Sequence, residues 1–298
     1  MWNDKYISYW SSEWDYAMAH TDNFCAEIRS KAAVDEHAEN SARSYDETMG
    51  KNLARVEIAM DAIKKRGYMS EGMTALDIGS GTGVFTIAFA KEYAAVTALD
   101  ISPAMQGIIR QKADREGLLN IEYTMQNWHS LDLRAAGMES RYDMVLSSLN
   151  TRGIYNFETL IKMNNASRGG CCLVSFTGRG RRNHSGELHD LIIGRRLGSA
   201  GGNDIIMPFN LIYNMGGKPD MTYSEITWER ELSPEQAIDG IAEQFWRFAE
   251  ITTETRAKIE NYVLTHLEQN GMYLEAARVP VAIMVWDSQP VRDYLANE

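Results

Sequence analysis

Cysteine is scarce in this chain of 298 residues, occurring only at Cys25, Cys171 and Cys172. So few cannot build a disulfide framework, and neighbours such as Cys171 and Cys172 would point to opposite faces of a strand rather than pair. A reducing compartment is the simplest expectation. Long apolar runs are missing as well. The longest, Val279 to Trp286, is far too short to span a membrane. The opening MWNDKYISYW has neither the basic head nor the apolar core of a signal peptide. A soluble, cytoplasmic protein is therefore expected. Basic excess is the third absence: 30 Lys and Arg stand against 41 Asp and Glu, a formal charge of -11. That balance does not suit a broad phosphate-tracking surface, so neither nucleic acid nor membrane is expected as a partner. No clustered His and Cys spacing suggests a metal, and no internal repeat or low-complexity tract is present. The length admits one elaborated domain, or one domain with a substantial cap.

What is present is a single informative stretch, Met73 to Ser102. A short apolar run with an acid, Ala75-Leu76-Asp77-Ile78, turns through Gly79-Ser80-Gly81-Thr82-Gly83. A helical stretch from Val84 to Tyr93 follows, then a second apolar run, Val96 to Leu99, that closes on Asp100. This is strand, glycine turn, helix, strand, acid. Glycines permit positive φ and let a ligand approach the main chain, and the helix start behind them carries free N–H groups. Asp100 falls at the carboxyl end of the second parallel strand, where open α/β sheets bind ligands and a carboxylate can accept from both hydroxyls of a ribose. A dinucleotide site prefers G-x-G-x-x-G, but here that last position is Val84 and the third glycine comes one residue early.

The pattern D-x-G-x-G-x-G followed by an acid after the second strand resembles the class I S-adenosylmethionine (SAM)-dependent methyltransferases. The resemblance covers about Thr48 to Phe176. It implies an α/β fold: a seven-stranded, mostly parallel Rossmann-like sheet with helices on both faces and an N-terminal helical lid; where the family's final two strands usually make a hairpin, this sequence reads as carrying a helical insertion before the last strand. The resemblance also implies SAM as cofactor, with Asp77 orienting the methionine end, Gly79, Ser80, Gly81 and Gly83 making room, and Asp100 with Ile101 at the ribose. Met105 would lie against the adenine, Asn127 and Trp128 would follow the third strand near its edge, and Ser147 would end the fourth strand close to the transferred methyl. The family more often has Asp where Asn127 stands. Amino-methyltransferases acting on nucleobases carry Asn or Asp, then Pro-Pro and an aromatic, where this chain has Ser148-Leu149-Asn150-Thr151, so that substrate class loses support. The acceptor expected is a small molecule.

The remaining segments are expected to divide as 1–47, an aromatic-rich arm; 48–178, the SAM-binding core; and 179–298, the remaining strands with a substrate-side loop and the insertion. The arm holds Trp2, Tyr6, Tyr9, Trp10, Trp14, Tyr16, Phe24 and Tyr45. It either packs onto the main domain or forms a lid, with Trp10 and Trp14 lining the substrate. A helix is expected over Thr48 to Arg66. The loop TGRGRRNHSGELHD from Thr177 carries Arg179, Arg181, Arg182, His184, Glu187 and His189, and it reads either as a solvated loop or as a grip for an anionic acceptor, since Arg offers a bidentate fork. Catalytic candidates are His184, His189 and Tyr45, though in-line methyl transfer needs a base only when the acceptor must lose a proton. The last strand, Arg278 to Trp286, is expected to end the fold, after two helices that would shape substrate choice or a homodimer. A non-catalytic SAM-binding subunit and a nicotinamide-dependent oxidoreductase remain as alternatives.

Overall fold

The computed structural model describes residues 2–20, 42, 43, 45–47, 50, 53–150, 153–177, 181, 182, 185–194, 204–246 and 249–297. Arg179, His184, Cys25 and the glycines at 201 and 202 lie outside them.

Parallel strands β1 (Thr74–Ile78), β2 (Ala95–Leu99), β3 (Ile121–Thr124), β4 (Tyr142–Ser148) and β5 (Ser167–Phe176) pair in the order β3-β2-β1-β4-β5. The order reverses between β1 and β4, the place where open sheets of this kind form a crevice beyond the carboxyl ends of the strands. Antiparallel to β5 runs β8 (Tyr273–Asp287), and β7 (Asp220–Leu232) pairs with β8 along its whole length. The two-residue β6 (Arg181–Arg182) pairs with β8 at Ala277 and Arg278, beyond the point where β5 leaves it. Eight strands thus occupy seven positions. Dinucleotide-binding sheets of the usual kind are parallel throughout; this one ends in an antiparallel pair.

Helices α1 (Trp2–Ala19), α2 (Ala54–Lys65), α3 (Val84–Ala90), α4 (Pro103–Glu116) and α5 (Phe157–Ala166) are followed by α6 (Ser185–Ile193) and α7 (Ile206–Asn214). Three more, α8 (Pro234–Phe245), α9 (Thr253–Thr265) and α10 (Ser288–Ala296), complete the described set. Strand alternation sends side chains to both faces. Leu76, Ile78, Val145, Cys171, Leu173 and Met284 join α1, α5, α7 and α10 in one core, whereas Ala75, Met144, Leu146, Cys172, Val174 and Ile283 join α2 and α3 in another. The two cysteines therefore belong to opposite faces, and burial pushes both thiols up, Cys171 to about 12.

The helix expected over Thr48 to Arg66 is described from Ala54 to Lys65, with Leu53 in the preceding position and no side-chain cap, and Thr48 itself lies outside the described residues. One expectation is corrected. The chain does not end on β8, since α10 follows. Pro290 there reads as a breaker, but it sits in the first turn, where a missing N–H removes no helical bond. The insertion between the last two long strands is present as α8 and α9. These helices and α6 bury Leu188, Ile241, Phe245, Ile259 and Val263 against Tyr273, a core separate from those on the two faces of the sheet. Because β8 is antiparallel to β5, its half from Tyr273 to Pro280 runs past the carboxyl ends of the parallel strands. This third core is thereby carried to the ligand edge.

Candidate functional site

The site begins with how β1 ends. Gly79 and Ser80 donate their N–H groups to the Leu99 carbonyl at 2.8 and 3.0 Å, folding the turn back onto the end of β2. Gly79, Gly81 and Gly83 have φ of 69°, 53° and 84°. A Cβ on Gly83 would lie 2.8 Å from Cγ1 of Ile109 on α4, so helix packing as well as backbone conformation demands glycine. Gly79 faces Asn150, whose amide nitrogen would be 2.1 Å from a Cβ there.

Asp100 is coupled to this turn directly. Its Oδ2 accepts from Gly81 N–H at 2.9 Å and its Oδ1 from Ser102 N–H at 2.8 Å, leaving further lone pairs on each oxygen. Burial pushes its carboxyl above the usual range, and the two main-chain N–H groups oppose that shift. Gln106, buried on α4, bridges the carbonyls of Asp100 and Thr124 at 3.1 and 2.8 Å, fixing the ends of β2 and β3 together. Ile101 is 61% exposed and Met125 63%. These are unusual exposures for large apolar side chains beside a carboxylate, and Met105 is half-buried nearby on α4.

Asp77 is enclosed beneath the turn. Thr86 donates its hydroxyl to Asp77 Oδ2 at 2.6 Å. Burial, opposed by that hydrogen bond and reinforced by the charge of Asp100, pushes the carboxyl up to about 7. Tyr45 covers the turn from outside, with Cε1 3.8 Å from the place a Gly81 Cβ would take. Its hydroxyl is pushed up by burial, against the pull of Arg55, and so stays protonated at neutral pH. Arg55, on α2, is 2% exposed and has its own pKa lowered by burial. Two hydroxyl oxygens of the turn, Ser80 Oγ and Thr82 Oγ1, are buried and without a hydrogen-bond partner. Such groups are costly to leave unpaired and common at ligand sites. Glycine space, paired acids and orphaned hydroxyls together fit a ligand rich in amino, carboxyl and sugar hydroxyl groups.

Other expected residues are placed differently. Ser147 is fully buried and donates to the Ile78 carbonyl at 3.0 Å, so it shapes the turn from below. Trp128 lies in the first core, its indole N–H 3.4 Å from the Thr159 carbonyl. Asn127 is exposed and accepts from His129 N–H at 2.9 Å. Trp14 is 2% exposed among Ile7 and Met18, and Trp10 is partly buried against the same core. Of the arm's described residues, those of α1 pack into the first core, while Tyr45 reaches the glycine turn. His189 sits on α6, with its ring 6.0 Å from that of Phe245 on α8. Arg181 lies on β6.

Sequence reasoning passed over Arg55, Thr86, Lys112 and Asn150. Thr86 was legible in principle, one turn into the helix behind the glycines. Asn150 is presented by Leu149, a non-glycine residue at φ 53°. Backbone conformations of that kind gather at functional sites. Asn150 also donates to the Ile78 carbonyl at 3.3 Å.

Residues 75–163 match the family model described as a methyltransferase domain. Among solved structures, a protein of Bacillus halodurans assigned as a methyltransferase is 12% identical. The alignment covers 77% of this chain and 98% of that one, with a TM-score of 0.51. The YcgJ protein of Bacillus subtilis is 14% identical over 76% of this chain and 97% of its own, with a TM-score of 0.46. None of the curated proteins matches. The matched segment runs from β1 through the glycine turn and Asp100 into α5, and the sheet around it has the class I fold; the chain carries a methyltransferase domain and is a SAM-dependent methyltransferase, with SAM as its cofactor.

Proposed function

We propose that this methyltransferase acts on a small-molecule acceptor admitted beneath the helical cap, and that it works chiefly by positioning. The observation that carries this reading is the β7–β8 ribbon. Its extension past the parallel strands sets α6, α8 and α9, with their own core, at the edge where the glycine turn opens. A cap in that place restricts entry to compact acceptors. The charge of -11 favours neither nucleic acid nor an anionic membrane. An anionic group on the acceptor would find its partners among the arginines of the segment after β5, of which Arg181 and Arg182 form β6.

In this reading Gly79 to Gly83 seat the methionine end of SAM, with Asp77 facing its positive charge from below. A cation beside a buried carboxyl favours the ionised form, so the proton held there at about 7 is given up as the site fills. Asp100 takes the ribose hydroxyls. Ile101 and Met105 provide apolar surface for the base, where a thioether suits an aromatic face, and Asn127 keeps its amide N–H groups for the ring edge. Ser147 and Trp128 brace the floor. SAM supplies an activated methyl group whose leaving group departs as a neutral thioether and needs no acid. What remains for the protein is to hold the acceptor in line and exclude water, an effect worth about 7 to 11 kcal/mol. Tyr45, held as a phenol, serves as a wall or a donor rather than a base. The reading is tested by incubating the protein with methyl-labelled SAM and fractionated extract. Label is expected in the low-molecular-weight fraction; label confined to protein or nucleic acid contradicts it.

A further inference from the structure

One ammonium ties together three pieces of chain at the edge of the site. Lys112, on α4, donates from Nζ to Asp46 Oδ1 at 2.5 Å and to the Thr82 carbonyl at 2.9 Å. The side chains of Lys112 and Asp46 are 22% and 28% exposed, so water and salt screen the pair less than they would an open surface pair. Thr82 belongs to the glycine turn, and Asp46 directly follows Tyr45, whose ring stands over Gly81. The Tyr45 hydroxyl senses the charges of Asp46, Asp77 and Asp100 together. Removing the ammonium would leave Asp46 without the countercharge that holds it. It would also free the Thr82 carbonyl at the centre of the turn.

We propose that Lys112 is a positioning residue for the cofactor, acting through Asp46 and Thr82 to hold the Tyr45 ring and the glycine turn as one preorganised seat. The proposal rests on the reading of that turn as the SAM seat. Preorganisation of this kind raises affinity by lowering the cost of ordering on binding.

The test is calorimetric titration of the full chain with S-adenosylhomocysteine (SAH), using Lys112→Met, Asp46→Asn, the double variant and Lys112→Arg. Each of the two single charge-removing variants is expected to weaken SAH binding by about 5- to 30-fold, with the double no weaker than either single and Lys112→Arg close to the parent. Thermal midpoints without ligand should stay near the parent value. A merely structural role would lower those midpoints and leave SAH affinity intact. Unchanged affinity in Lys112→Met, or losses that simply add in the double variant, would overturn the proposal. If the parent chain itself fails to bind SAH, the seat assignment is what falls, and the latch falls with it.

Discussion

A carboxyl enclosed beneath a glycine turn is unfavourable in its charged form unless something positive arrives. Asp77 meets that condition, with one hydroxyl from Thr86 and a pKa near 7. Because the folded value lies above the ordinary one, the ligand-free protein gains stability from Asp77 at pH below about 4 and loses it as pH rises through about 7. Asp77→Asn should therefore gain stability relative to the parent between about pH 5 and about pH 8, read by urea denaturation at both values. A constant difference would mean that Asp77 is already ionised at the lower pH. Asp100 acts differently, being open on its outer side and fixed by two N–H groups on its inner one. Asp100→Ala forfeits charge-assisted hydrogen bonds of about 1.5 to 3 kcal/mol, so SAM affinity should fall by roughly 10- to 150-fold in calorimetry. Both acids were legible in the sequence because their spacing to the glycines is local. Lys112 and Arg55 were not, because only the folded chain brings α4 and α2 to the turn.

At the level of elements, the glycine turn is a packing joint between α3 and α4 as well as the proposed ligand seat. Gly83 has φ 84° and lies within 2.8 Å, Cβ to Cγ1, of Ile109 if alanine replaces it. Gly83→Ala should then cost about 2 to 4 kcal/mol from backbone strain and overpacking together, seen as an earlier denaturation midpoint with an unchanged slope. Parallel strands β1, β2, β4 and β5 could be read from short apolar runs closing on polar residues, and α8 from its Ser233-Pro234-Glu235-Gln236 capping box, which is formed in the structure. The C-terminal helix escaped because its proline, at the third position, looks like a stop. The reach of β7 and β8 also escaped. Alternation in the outer halves is blurred by charges such as Glu225, Glu229, Arg230 and Glu275, which suit a ribbon open to solvent rather than a sheet interior.

For the whole molecule, the decisive fact is where the two ends of the chain meet the sheet. Tyr294 on α10 hydrogen-bonds Asp4 on α1, and Trp14 is buried beside Ile7 and Met18, so the first helix is part of the scaffold, while among the described residues of the arm Tyr45 stands at the glycine turn. At the carboxyl ends of the parallel strands the β7–β8 ribbon runs on and carries α6, α8 and α9 with their own core. The identity of the methyl acceptor was never legible, because acceptor choice rests on long-range packing with no local signature. The glycine turn and its two acids were legible for the opposite reason.

The most direct measurement is the structure of the full chain crystallised with saturating SAH. The expected result is SAH lying across Gly79 to Gly83, with its ribose hydroxyls within hydrogen-bond distance of the Asp100 carboxylate and its amino group on the side of Asp77. An empty crevice under those conditions, or a ribose bound away from Asp100, would contradict the assignment of the site.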